Sequence, residues 1–185
     1  CRGNADCLPA MNFLSDTTSP AHPAILASLA DANHGYAPSY GNDRLTAELK
    51  SRLDSLFETE LELVLTTSGT ASNALALSIL CPPHGMILCH DEAHIHRDER
   101  GAPEFFTGGG KLLPLRGSHA KIDPAELEQA LAQWPQDFVH TPPPRVLSVS
   151  NLNESGCRYS VRELKALTGP AKSKGLGVHF DGARF

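Results

Sequence analysis

The chain has 185 residues, 41% of them apolar, 20% charged and 6% aromatic, and its formal net charge is -5. That length and balance suit one globular domain, or part of a larger one, with a real apolar core, and they exclude wholesale disorder and collagen-like repeats. No apolar run nears the roughly 20 residues of a membrane span, and the mild acidity argues against a binder of nucleic-acid backbones, which would carry a basic stripe.

The five cysteines, Cys1, Cys7, Cys81, Cys89 and Cys157, are odd in number and irregularly spaced. They read as reduced thiols of a cytoplasmic protein rather than a disulfide scaffold. Residues 1–10 show no periodicity and no signal-peptide pattern, and read as an unstructured extension before a patterned stretch that opens at Met11.

His22 to Ala32 is a short helix candidate with Ile25, Leu26 and Leu29 on one side, followed by a Gly/Pro/Asn-rich loop. Asp43 to Phe57 is a strongly amphipathic helix, with Leu45, Leu49, Leu53, Leu56 and Phe57 at helical spacing. Leu61 to Thr67 reads as a strand, and Thr70 to Leu80 as a helix apolar almost all round, hence buried. Met86 to Cys89 and Lys111 to Leu115 are short apolar strands. Asp123-Pro124-Ala125-Glu126 opens a helix, with Asp as cap and Pro at the first position. Val146 to Val149 is a β-branched strand. Ser160-Val161-Arg162-Glu163 is a capping box opening another helix, which Gly169-Pro170 should kink or end. Leu176 to Phe180 is a last strand ending at Asp181. Alternating strands and helices predict an α/β fold with a mostly parallel sheet, whose ligands bind beyond the carboxyl ends of its strands.

Four stations fall at such positions. At Ser68-Gly69-Thr70-Ala71-Ser72-Asn73 a strand candidate runs into a turn that opens a helix, so free amides and the positive helix end converge there. It suits a phosphate, and it also suits a plain N-cap. The spacing matches neither nucleotide-binding glycine pattern. Cys89 to His96 is dense in ionisable groups, but with Cys81 and His84 it fits none of the usual structural zinc spacings, so a metal site is the outsider. His94 there suits stacking on an aromatic ring or proton transfer. In His179-Phe180-Asp181-Gly182-Ala183-Arg184 an acid ends a strand with an arginine three residues on. Either an ion pair closes a turn, or the acid holds a pyridine nitrogen protonated while the guanidinium clamps a carboxylate. The fourth, Ser15-Asp16-Thr17 with Tyr40-Gly41-Asn42-Asp43, is a pair of polar loop clusters.

In this order the stations resemble the low-specificity L-threonine aldolases of the aromatic amino acid β-eliminating lyase group, pyridoxal-phosphate enzymes of the aspartate aminotransferase fold type. The residues that carry the resemblance are SDT at 15–17, YGND at 40–43, SGTASN at 68–73, EAH at 92–94, DERGAPEFF at 98–106 and HFDGARF at 179–185. The resemblance implies a three-layer, mostly parallel large domain of the PLP-dependent transferase type, of which residues 11–185 are the N-terminal part. It implies pyridoxal 5'-phosphate as cofactor, held by Ser68, Gly69 and Thr70 at its phosphate, His94 against the ring, Asp181 at the ring nitrogen and Asn151 near the ring oxygen. It assigns the substrate carboxylate to Arg184 and Ser15, and makes His94, Asp181 and Arg184 the catalytic set. It implies cleavage of threonine and related β-hydroxy-α-amino acids to glycine and an aldehyde, by a homodimer or homotetramer.

Three features depart from the family. Where one branch has a histidine in ENTHNG, this chain reads Ser150-Asn151-Leu152-Asn153-Glu154, so that residue's role does not transfer. Lys111, Lys121, Lys165, Lys172 and Lys174 match no Schiff-base lysine, which in the family lies past the DGAR strand. The small C-terminal domain is likewise not represented. Residues 1–185 are therefore expected to be a truncated large domain with little activity and poor stability on their own.

Overall fold

A computed structural model of the chain describes Ser15 and residues 18–184. The expected extension at 1–10, Cys1, Cys7, Met11, Asp16, Thr17 and Phe185 lie outside the described residues. The chain divides between Leu63 and Val64 into two compact units.

In the first unit, α1 (Pro23–Ala32) starts at His22, whose Nδ1 accepts the Ala24 N–H at 3.2 Å. Asp43 caps α2 (Arg44–Phe57), its Oδ1 accepting the Thr46 N–H at 2.9 Å. Both helices form as their patterns predict, but no residue of either is buried. The apolar side chains Ile25, Leu26, Leu29, Leu45, Leu49 and Leu56 stay exposed.

The segment across the division departs from expectation. The expected strand at Leu61–Thr67 does not form, and this segment pairs with no strand among the described residues. Its β-branched and apolar residues have no ladder to join, and Val64 and Leu65 are exposed; a strand exists only through its partner.

The sheet consists of β1 (Met86–His90), β2 (Lys111–Leu115), β3 (Pro144–Ser150) and β4 (Gly177–Asp181). It is parallel throughout, in the order β2-β1-β3-β4. Side chains alternate between its faces, as the period of two requires. Met86, Leu88, Leu147 and Val149 face a core completed by Leu127 and Ala130 of α6 (Pro124–Gln133) and by Leu167 and Ala171 of α7 (Val161–Ser173). Ile87, Cys89 and Val146 face a second core completed by Leu77 of α3 (Gly69–Leu80) and by Ile95 of α4 (His94–Arg97). The result is three layers, helix on sheet on helix. α4 and α5 (Ala102–Phe106) are too short to show a sequence period.

Two helices differ from expectation. α3 is buried only at Asn73, Ala74 and Leu77, while Leu75 is 41% and Ile79 74% exposed. Its inner side packs on the sheet and on the Ala102–Phe106 helix, and its outer side chains Leu75 and Ile79 are exposed. α7 does not end at Gly169-Pro170 but runs to Ser173. Pro170 lies in the last turn, so its missing N–H removes one late bond, and buried Leu167 and Ala171 hold the segment down. The capping box at its other end is present as predicted.

The chain steps from β1 outward to β2, then returns to place β3 on the other side of β1. This reversal makes a switch point between β1 and β3, with the crevice beyond their carboxyl ends. His90, Ser150 and Asp181 end β1, β3 and β4 on that edge.

Candidate active site

Ser68 is the N-cap of α3, and its Oγ accepts the Ala71 N–H at 3.2 Å. A Cβ placed on Gly69 would meet nothing within 4 Å, so the first amides of the helix border open space. That space is a cavity of about 400 Å³ lined by Gly69, Ser72, Asn73, His179, Asp181 and Gly182, among others. The start of α3 and the acid at the tip of β4 therefore share one cavity. Asn73 stands one helical turn, about 6 Å, beyond Gly69.

Asp181 is fixed by two neutral donors. The Ala183 N–H bonds its Oδ1 at 3.0 Å, and Asn73 Nδ2 bonds its Oδ2 at 3.1 Å. The same Asn73 Nδ2 donates to Glu99 Oε1 at 2.8 Å. Glu99 Oε1 also meets His94 Nδ1 at 2.8 Å. Thus His94, Glu99, Asn73 and Asp181 form one hydrogen-bonded chain. The backbone N–H of His94 is held separately by Glu154 Oε1 at 3.0 Å, from the loop after β3. Burial pulls the His94 pKa down, but the Glu99 hydrogen bond and the charges of Glu99, Asp98 and Asp181 outweigh it and leave the pKa raised above 6.5.

Asn151 follows β3 directly. Its Oδ1 accepts the Tyr159 N–H at 2.8 Å, and its own N–H donates to the Asp181 carbonyl at 2.9 Å. Its carbonyl oxygen is thus committed to the fold, and Nδ2 is the group it has to offer a ligand. Arg184 is exposed, three residues past Asp181. Ser15 is exposed in the first unit, where its carbonyl accepts the Thr18 N–H at 3.2 Å.

Several other groups of the sequence stations are tied into the fold. His90 is buried, accepts the Glu92 N–H on Nδ1 at 3.0 Å and meets the Gly117 carbonyl through Nε2 at 3.1 Å. Both its nitrogens are engaged by the fold. Cys89 is in the core, and burial pushes its thiol up to about 12. Among the described residues no three of His, Cys, Asp and Glu cluster to hold a metal ion. Asn153, buried in the loop that departs from ENTHNG, donates to the His119 and Ala120 carbonyls and accepts the Ser155 and Cys157 N–H groups. That pins the loop carrying Glu154. His179 is buried beside Ser148 Oγ at 2.8 Å, and burial lowers its pKa.

Two residues of the site carried no role in the sequence reading: Asn73 and Glu99. The available signal was a polar side chain on the sheet-facing side of an otherwise apolar helix, and an acid inside the charge run Arg97 to Arg100.

Fold and cavity together define a three-layer α/β protein with a ligand crevice at the carboxyl edge of a parallel sheet, where a helix N-terminus faces a strand-end acid. The chain belongs to the β-eliminating lyase family, whose model matches residues 12–185. It is 42% identical over 173 residues to a low-specificity L-threonine aldolase of Pseudomonas sp. (strain NCIMB 10558), covering 94% of this chain and 49% of that one. A second low-specificity L-threonine aldolase, from Pseudomonas aeruginosa, is 41% identical over the same length and shares. Among solved structures, the threonine aldolase of Leishmania major superposes with a TM-score of 0.81 at 29% identity, over 88% of this chain and 47% of that one. A serine palmitoyltransferase from S. paucimobilis, solved with a bound PLP–myriocin adduct, shares the fold at 16% identity and a TM-score of 0.62, over 85% and 37% of the two chains. The chain spans about half the length of the curated relatives it matches. No helix among the described residues is long and apolar enough to cross a membrane.

Proposed function

We propose that the whole protein is a pyridoxal-phosphate-dependent carbon–carbon lyase. It cleaves L-threonine, L-allo-threonine and related β-hydroxy-α-amino acids to glycine and an aldehyde. The observation that carries this reading is the single cavity lined by Gly69 and Asp181, with Asn73 bonded to Asp181 at its wall.

The residues present fit the cofactor. Open space lies where a side chain on Gly69 would stand, no carboxylate of the helix's own first turn covers the amides, and an acid sits in the same cavity. Bound there, pyridoxal phosphate supplies an electron sink for the pair released when Cα–Cβ breaks. Ser68, Gly69 and Thr70 hold its phosphate by hydroxyls, amides and the positive helix end. Asp181 keeps a proton on the pyridine nitrogen, and Asn151 Nδ2 donates to the ring oxygen. Arg184 takes the substrate carboxylate in its guanidinium fork, which orients the bond to be broken. His94 lies against the ring, and its Nε2 moves the proton of the β-hydroxyl.

Lys111, Lys121, Lys165, Lys172 and Lys174 are all absent from the cavity lining, so residues 1–185 taken by themselves are expected to turn over little threonine. The reading carries a homodimer or homotetramer in the cytoplasm, acting on small amino acids and on neither nucleic acid nor membrane.

The test is a substrate panel on the whole protein supplied with pyridoxal phosphate. Glycine release from threonine and phenylserine, with tyrosine inert, supports the aldolase. Turnover of tyrosine instead makes the protein a β-eliminating lyase of another amino acid. Failure to bind the cofactor at all makes it a non-catalytic member of the fold. Asp181→Asn should lower threonine cleavage by on the order of 100-fold, the size of losing one electrostatic partner in a water-poor site.

A further inference from the structure

Glu99 is a costly side chain to keep where it is. Its side chain is 0% exposed, and a buried carboxylate is expensive unless it is paired and hydrogen-bonded. Its pairing is lopsided: Oε1 receives both Asn73 Nδ2 and His94 Nδ1, while Oε2 is buried with no hydrogen-bond partner. Most buried polar atoms find a partner, and Glu99 Oε2 does not. Here everything Glu99 gains comes from two residues that border the proposed cofactor.

We infer that Glu99 is a positioning residue that sets the proton arrangement of the site. It holds His94 with its proton on Nδ1 and orients the Asn73 amide that in turn orients Asp181. The inference rests on the lyase reading for its purpose, but its geometry stands without it.

The proton arrangement follows from donor and acceptor counts. An ionised carboxylate only accepts, so the bond at His94 Nδ1 requires a hydrogen there. Nε2 is then the nitrogen that gains and loses a proton, and with the side chain 43% exposed it is open to solvent. The orientation of Asn73 is equally forced. Its Nδ2 faces two carboxylate oxygens, from Glu99 and from Asp181, and each takes one of its two hydrogens. The flipped amide would set Oδ1 against both carboxylates. Glu99 therefore reaches Asp181, the proposed partner of the ring nitrogen, through one side chain, and reaches His94, on the proposed ring face, directly. A supporting group that fixes the tautomer of a working histidine commonly plays this part. The charged groups that face His94 are Glu99 and Asp98 in its own segment, Asp181 from β4, and Glu154 on its backbone N–H.

The test needs no cofactor. Long-range proton–nitrogen spectra of the full chain, labelled at histidine nitrogens, report tautomer and titration midpoint together. The His94 signals are assigned by their loss in His94→Gln. The expected wild-type result is a proton on Nδ1 in the neutral ring and a midpoint above that of a free histidine. In Glu99→Gln the midpoint falls, and Asp98→Asn moves it less. If His94 titrates alike in wild type and a folded Glu99→Gln, Glu99 is structural and the inference is overturned. If Glu99→Gln does not fold, the wild-type spectrum still decides, because a neutral ring protonated on Nε2 instead of Nδ1 overturns it equally. The lyase reading fails separately, by absence of cofactor binding or of threonine cleavage in the substrate panel.

Discussion

Helices α3 and α7 lie on opposite faces of one sheet, and each begins at a serine, yet their ends are finished differently. Ser160 Oγ accepts the Glu163 N–H at 3.3 Å, and Glu163 Oε2 accepts the Ser160 N–H at 2.6 Å, so the start of α7 is closed by its own carboxylate. The matching position in α3 is Ala71, and its Ser68 cap stands alone. The open end faces a cavity with an acid across it. The inner sides differ as well, since α7 buries only apolar residues and α3 buries Asn73 among them. A helix that serves only the fold satisfies its own terminus. One that leaves amides open and buries an amide side chain has partners beyond the backbone.

Mutation can break or sharpen this asymmetry. The largest effect is expected from Leu167→Ala, which empties a position 1% exposed beneath α7 and should cost about 2–5 kcal/mol in chemical denaturation. Ile79→Ala on the outer side of α3 should stay within about 0.5 kcal/mol. Equal costs would mean that the outer side of α3 is covered in solution. Next comes Asn73→Ala, which takes the donor from Glu99 and Asp181 together. It should cost about 1–3 kcal/mol and also weaken cofactor binding, a second effect that Leu167→Ala lacks when folded. Removing either cap, by Ser160→Ala or Ser68→Ala, should cost about 1 kcal/mol. Only the second should also reduce affinity for pyridoxal phosphate.

The smallest effect is one of pH. Hydrogen bonds from Ser160, and then from Lys121, hold the Glu163 carboxyl down from 4.5 to about 2. An acid with a depressed pKa stabilises the fold above its ordinary value and loses that contribution as the pH falls toward the folded one. Acid titration between about pH 4.5 and 2 should therefore show a loss of stability that Glu163→Gln lacks.

Much of the second unit is legible in the sequence because its signals are local. The capping box at Ser160, the Asp-Pro start of α6 and the apolar runs of the four strands each act within a few residues. The strand expected at Leu61 failed because pairing is decided by a neighbour, and the helix expected to end at Pro170 continued because Leu167 and Ala171 are anchored. Placing Gly69 and Asp181 on one cavity was readable from a helix start and a strand tip in a parallel α/β order. The link between them was not, since Asn73 finds Glu99 at a separation of 26 residues and Asp181 at 108, and no periodicity spans such distances. Glu99 stands between Asp98 and Arg100 in the sequence, and only the fold turns it inward.

The central claim is that the open end of α3 receives the phosphate of a cofactor whose ring reaches Asp181. Gly69→Asp tests it most directly. The new side chain points into open space, and an acid in the first turn favours the helix, so the protein should fold with undiminished stability. Titration with pyridoxal phosphate, followed by absorbance, should then show wild type binding and Gly69→Asp losing that binding to charge repulsion. A folded Gly69→Asp protein that binds the cofactor as tightly as wild type would place the phosphate elsewhere and contradict the account.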